Sequence, residues 1–208
     1  MTDCPAWLAE KLPEAKPHHA QLAVAQYADA ETLDVDGFTL TSAAFQNGGA
    51  LDPCFTADEE DAVAPPLEWT TPPAGTEELV LVVQDPAGRN DQPHLHWLAW
   101  GFAPQQGKLL EGESAPFAGK NAAGNSEWLL PKLDIGDPAH DYVFQLFAID
   151  RPLGLMPGAG ADEVFSVLDG NVLGAAVLTA KYEPEDLDDL LGDDAAAAAD
   201  DLDWDAEA

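Results

Sequence analysis

Apolar residues along this chain recur mostly with the two-residue period of strands. From Glu78 to Asp85, Leu79, Leu81, Val83 and Asp85 share one face, and Val80, Val82 and Gln84 share the other. A strand apolar on both faces belongs at the centre of a sheet covered on both sides. The run His94-Leu95-His96-Trp97-Leu98-Ala99-Trp100 is equally two-sided. Strict alternation sends His94, His96, Leu98 and Trp100 one way and Leu95, Trp97 and Ala99 the other. Tyr142 to Ile149 is the clearest strand, with His140, Tyr142 and Phe144 on one face. Shorter strands are predicted over Gly37–Ser42 and Leu67–Thr70, and a last one over Gly174–Tyr182. Asn47-Gly48-Gly49 and Pro72-Pro73-Ala74-Gly75 mark turns. In this body, Asp162–Val172 has helical spacing: Val164, Phe165, Leu168 and Val172 form a stripe, and acids crowd the first turn. Mostly strands, then a late strand–helix–strand, predict a mainly β chain. The expected architecture is a two-sheet antiparallel β-sandwich with a late helical crossover, not a doubly wound sheet.

The flanks differ from this body. Residues 1–34 read as an N-terminal helical extension, interrupted at Pro13 and Pro17, with Leu22, Val24 and Tyr27 available to dock. His18-His19 reads as a solvated helix start rather than a metal site. Residues 35–182 form the sandwich domain. Residues 183–208 combine high charge with few aromatics and read as a disordered acidic tail. Within the body, Ala103 to Asp137 is rich in Gly, Pro and Asn; so long a segment without regular structure is usually functional.

Charge narrows the partners. The chain has 39 acidic and 8 basic residues, a formal net charge of −31. Phosphate backbones and anionic membranes both need a positive patch, so neither nucleic acid nor a membrane surface is expected. Self-repulsion on this scale is screened at molar salt, which makes the surface read as salt-adapted. Cys4 and Cys54 make no disulfide framework and read as free thiols. No basic-then-apolar leader and no run near the ~18 apolar residues of a membrane helix is present, so a cytoplasmic protein is expected.

The candidate chemistry gathers where strands end. Asp85 closes one central strand, His96 stands at the mouth of another, and His140 opens a third with Tyr142 one period behind it. If these strands are neighbours, two imidazoles and a phenol converge to bind an anion, and Asp85 holds one imidazole in its charged or correctly tautomeric form. Gly119 and Gly124 are placed to add backbone N–H groups. Arg89, Lys108, Lys120 and Lys132 are half of the chain's basic residues and all lie between Asp85 and His140. A competing reading joins His94, His96, His140 and Asp85 into a metal site, or a hydrolase using the same groups. No G-x-S-x-G elbow, Walker motif or dinucleotide glycine motif occurs, and no cofactor is expected.

In order, Pro65-Pro66-Leu67-Glu68-Trp69, Pro73-Ala74-Gly75-Thr76, Gln84-Asp85-Pro86, His96-Trp97, Gly119-Lys120-Asn121, His140-Asp141-Tyr142-Val143-Phe144 and Gly170-Asn171-Val172-Leu173 form a recognisable series. From about Phe38 to Tyr182 the chain resembles the phosphatidylethanolamine-binding protein family, in its bacterial and archaeal Raf-kinase-inhibitor-like branch. The resemblance implies a β-sandwich with a small pocket for phosphate-bearing or other anionic groups, lined by Asp85, Pro86, His96, His140 and Tyr142. It implies a binding or regulatory role, including modulation of a kinase or protease through a protein partner, and enzymatic activity is not the family's hallmark. A homodimer is left open. The chain departs from the family's D-P-D-A-P at Ala87-Gly88-Arg89, from H-R-Y at Asp141, and from its Pro- and Gly-rich rim at Ser126-Glu127-Trp128-Leu129-Leu130-Pro131. Arg89 is a candidate replacement for the lost cation, and the physiological ligand stays open.

Overall fold

The computed structural model describes residues 3–88 and 92–184. Among these residues, nine strands run in the order β1 Leu40–Thr41, β2 Gly49–Ala50, β3 Leu67–Trp69, β4 Glu78–Asp85, β5 His94–Phe102, β6 Gly107–Leu109, β7 Phe117–Ala118, β8 His140–Ile149 and β9 Val172–Tyr182. They form a three-stranded sheet, β1-β3-β6, and a six-stranded sheet, β2-β9-β8-β4-β5-β7. All pairings are antiparallel except the short parallel pair β2–β9.

The two-sided strands lie in the middle of the large sheet, as their pattern requires. Leu79, Leu81 and Val83 of β4, with Tyr142, Phe144 and Leu146 of β8, face the small sheet and pack with Phe38, Leu40, Leu67 and Trp69. Val80 and Val82, with Val143, Phe147 and Ile149, face the other way. That second face is covered by the N-terminal segment and by the helix Ala161–Leu168. The fold is therefore three layers thick, and each face of β4 is buried at roughly 1.5–3 kcal/mol per large apolar side chain.

The covering layer contains α1 (Ala6–Ala9), a 3-10 turn (Pro17–Gln21), α2 (Ala23–Tyr27) and α3 (Ala161–Leu168). Leu8, Leu12, Leu22 and Val24 are buried against the sheet beside Val164 and Leu168. The first N–H groups of so short a helix as α2 have no partner inside it. Here Ala23 N–H donates to Gln84 Oε1 at 2.9 Å and Val24 N–H to Gln145 Oε1 at 2.7 Å. Gln145 Nε2 in turn donates to Gln84 Oε1 at 3.0 Å. Two buried glutamines on the central strands thus clamp the extension to the sheet.

Asp141, where the family pattern has Arg, belongs to the same contact. It points away from the small sheet and receives Lys16 Nζ at 3.3 Å, with His19 Nε2 3.9 Å away. His19 is therefore not solvated: it is 1 % exposed, and its Nδ1 accepts the Lys16 N–H at 2.8 Å. The sequence reading failed because a dipeptide of histidines carries no signal of the sheet that covers one of them.

Helix α3 is shorter than its apolar stripe. Glu163 Oε2 accepts the Gly160 N–H at 2.9 Å and closes its first turn. The helix ends at Leu168, and Gly170, at φ +74°, turns the chain so that Val172 already belongs to β9. Cys4 and Cys54 are both free thiols. Among the described residues no helix is long and apolar enough to cross a membrane. The proposed acidic tail, apart from Glu183 and Pro184, lies outside the described residues.

Candidate functional site

The site begins with a break in pairing. Along β4–β5, Val83 pairs with Trp97 but Gln84 pairs with Leu95, leaving His96 as an extra residue. Such a bulge interrupts the alternation. Leu95, Leu98 and Trp100 face the helices, whereas Trp97 and Ala99 face the sandwich core. His96 does not share the face of Leu98 and Trp100, as strict alternation would have it. The bulge turns its ring to the Tyr142 side, with ring centroids 4.9 Å apart.

Asp85 and His140 arrive from β4 and β8, which are hydrogen-bonded neighbours. Asp85 Oδ2 lies 2.7 Å from His140 Nδ1, and Asp85 Oδ1 accepts the Ala87 N–H at 2.8 Å as the chain leaves the strand. A carboxylate only accepts, so His140 Nδ1 carries a proton. The hydrogen bond to Asp85, outweighing burial, raises the His140 pKa above 6.5. His96 is in the opposite situation. Its Nδ1 lies 2.6 Å from the Leu129 carbonyl, and Leu129 N–H donates back to the His96 carbonyl at 2.9 Å. Burial, only partly offset by that carbonyl, pushes its pKa down to about 4. The Tyr142 phenol is buried and held above its usual range, chiefly by desolvation and then by the Asp85 charge. One imidazole is thus built to take charge and the other to stay neutral.

These groups open onto a cleft of about 570 Å³ lined by Asp85, Ala87, Gly88, His94, His96, Leu129, Leu130, Lys132, Leu133, Asp134, Asp137, His140 and Tyr142. The wall from Leu129 to Asp137 comes from the long irregular segment. Trp128 anchors it, stacking on Phe144 at 5.8 Å and donating from Nε1 to the Phe55 carbonyl at 3.0 Å.

The structure brings together Asp85, His96, His140 and Tyr142. Pro86 is buried in the turn after β4 but does not line the cleft. Gly124 lies away from it, and its N–H is spent on the Asn121 carbonyl at 2.9 Å; Gly119 N–H pairs with Leu98 in the same way. Neither is available to an anion, because a tight turn and a sheet edge consume both donors. Arg89 lies outside the described residues. Of the other basic candidates, Lys132 lines the cleft, whereas Lys108 sits on β6 opposite Glu68. Among the described residues no group of three or more His, Cys, Asp or Glu is arranged to hold a metal ion. His94 is exposed at the rim, 5.1 Å from the His96 ring. Sequence reasoning missed Leu129, Leu130, Leu133, Asp134 and Asp137, for which the available signal was the length of the irregular segment itself.

A family profile described as phosphatidylethanolamine-binding protein matches residues 41–183. The chain belongs to this family. Among curated relatives, a UPF0098 protein from Methanothermobacter thermautotrophicus is 31 % identical over 153 residues, covering 69 % of this chain and 97 % of the relative. The lipoprotein LppC of Mycobacterium tuberculosis is 32 % identical over 148 residues, covering 70 % and 72 %. Among solved structures, a phosphatidylethanolamine-binding protein homologue from Chlamydia trachomatis superposes with a TM-score of 0.66 at 28 % identity, over 71 % of this chain and 98 % of that one. YbcL of E. coli, at 20 % identity and a TM-score of 0.64 over 71 % and 99 %, shares the fold. Its relatives place the chain in the bacterial and archaeal type of this family.

Proposed function

We propose that the cleft binds a phosphate-bearing or other small anionic group, and that the protein acts as a binding or regulatory protein of the Raf-kinase-inhibitor-like kind, modulating a kinase or protease partner. The observation that carries this reading is the Asp85–His140 pair, 2.7 Å apart and open to the cleft. A carboxylate that holds Nδ1–H lets the ring take a second proton, and the resulting Nε2–H is a charged donor for an oxyanion. Tyr142 adds a neutral phenolic donor, and Lys132 at the rim adds positive charge. The Chlamydia relative's description as a phosphatidylethanolamine-binding protein homologue supports phosphoethanolamine as a first ligand to try.

An Asp–His pair also suits a general base in hydrolysis. The described residues of the cleft lining include no Ser, Thr or Cys, so a covalent hydroxyl- or thiol-based route has no nucleophile there. The excess of acidic residues favours a salt-rich setting.

NMR titration with phosphate and with phosphoethanolamine in KCl tests the proposal. Shifts confined to His96, His140, Tyr142 and their neighbours are expected, and they are expected to vanish in His140→Ala. Absence of any shift at His96 or His140 would overturn the anion reading.

A further inference from the structure

We propose that the cleft selects an oxyanion that carries its own hydrogen-bond donor, such as hydrogen phosphate or a monoprotonated phosphomonoester, over one that has none, such as sulfate, and that His96 makes this choice. The inference rests on the anion-binding reading above and specifies its ligand.

The argument starts from the tautomer of His96. A carbonyl oxygen only accepts, so the 2.6 Å contact with Leu129 fixes the ring proton on Nδ1. The neutral ring then presents Nε2 as a bare lone pair. No hydrogen-bond partner for Nε2 occurs among the described residues, and His96 lines the cleft. His96 is 4 % exposed, and its ring lies near those of Tyr142 and Trp128, at centroid distances of 4.9 and 6.0 Å. A second proton would place a charge there with little water to solvate it.

Neighbouring charges do not reverse this. His94 on β5, His140 on β8 and Lys132 in the irregular segment oppose a further positive charge. Asp85 on β4 favours one, but both its oxygens are engaged by His140 and Ala87. Asp134 and Asp137 stand on the opposite wall, and Asp137 acts on His140. The low proton affinity that burial gives His96 agrees with the geometry.

A ligand in the cleft therefore meets donors at His140 and Tyr142 and an acceptor at His96. A fully deprotonated tetrahedral anion sets an oxygen lone pair against that of Nε2 and leaves the acceptor unpaired, which is the costly arrangement. A P–OH group fills it. Sulfate and phosphate have nearly the same size and shape, so this proton is the difference the site can read.

The test compares orthophosphate and sulfate at pH 7 and constant KCl, following His96 and His140 nitrogen resonances. Phosphate is expected to bind at least about tenfold more tightly. His96 Nε2 is expected to keep the shift of an unprotonated nitrogen and to move on accepting a hydrogen bond from phosphate alone. Methyl phosphate, whose second pKa is about 6, supplies the second arm. Its affinity relative to orthophosphate is expected to fall as pH rises through that value, a ratio that cancels any change at His140. His96→Gln, whose amide can turn its NH2 to the ligand, is expected to lose the preference.

Equal affinities with shifts at His140 overturn the selection and leave the anion site standing. A preference for phosphate without the decline for methyl phosphate overturns the role of the ligand's proton. No shifts with either anion overturn both readings.

Discussion

Asp85 Oδ2 and His140 Nδ1 lie 2.7 Å apart although 55 residues separate them in the chain. They meet because β4 and β8 pair antiparallel and both end at the same rim. This contact raises the His140 pKa above 6.5, so its sign is that of a base stabilised in its charged form. The contribution to folding is fully present below pH 6.5 and is lost as pH rises through the raised value. Anion affinity follows the same course, because only the charged ring offers an Nε2–H. In Asp85→Asn the His140 pKa is expected to fall back toward 6.5, and phosphate affinity at pH 7 to drop about tenfold, or about 1.4 kcal/mol. Histidine titration by NMR and calorimetry of phosphate binding check both, and an unchanged His140 pKa would refute the role given to Asp85.

Much of this geometry is legible in the chain. The alternation in β4 places Asp85 on the face of Leu79, Leu81 and Val83, and the same period in β8 aligns His140 with Tyr142 and Phe144. His96 is different. Its direction depends on a bulge, which is a property of how two strands pair and leaves no mark in the period of either one. The Leu129 carbonyl that fixes its tautomer is a backbone group, which any residue would supply, so side-chain chemistry could not single it out. Gly124 misled for the converse reason: a glycine at φ +82° fits an anion nest and an ordinary turn equally well.

The glutamine clamp behind the site is a stability element. Gln145 is fully buried, accepts the Val24 N–H and donates to Gln84. Gln145→Leu keeps the volume but strands a buried N–H, and leaving such a group unpaired costs roughly 1–3 kcal/mol. Urea unfolding is expected to show a loss of that size. Amide exchange at Ala23 and Val24 is expected to accelerate while the β4 and β8 amides stay protected. Equal acceleration in all of them would mean that the clamp holds no separate unit.

Acid is expected to weaken the fold through two histidines. Burial holds both His19 and His96 at a pKa of about 4, against 6.5 in an unfolded chain. Between these values the unfolded state binds protons that the native state refuses, so the contribution of these two histidines to stability falls as pH drops from 6.5 to 4 and is constant below. Each such shift corresponds to up to about 3 kcal/mol. His140 acts in the opposite sense, but its gain comes as pH falls through its raised value toward 6.5 and is constant over this interval. In His19→Phe the ring remains apolar and does not titrate. Its slope of unfolding free energy against pH over this interval is expected to be shallower by about one proton. An unchanged slope would show that His19 is already charged in the native protein.

Salt is expected to stabilise this protein. With a net charge of −31 the folded chain concentrates like charges that the unfolded chain spreads apart. The Debye length falls from about 10 Å at 0.1 M to about 3 Å at 1 M, below the spacing of most surface carboxylates. Relief of this repulsion by a few kcal/mol would raise the melting temperature by roughly 5–10 °C for a domain of this size. KCl is the appropriate salt, since neither of its ions carries an oxyanion for the cleft. The rise is expected to be steepest below 1 M and to persist in His140→Ala, which separates bulk screening from occupancy of the site. A melting temperature that stays flat from 0.1 to 2 M KCl would mean that the acidic surface is solvated without mutual strain, and the salt-adapted reading would fail.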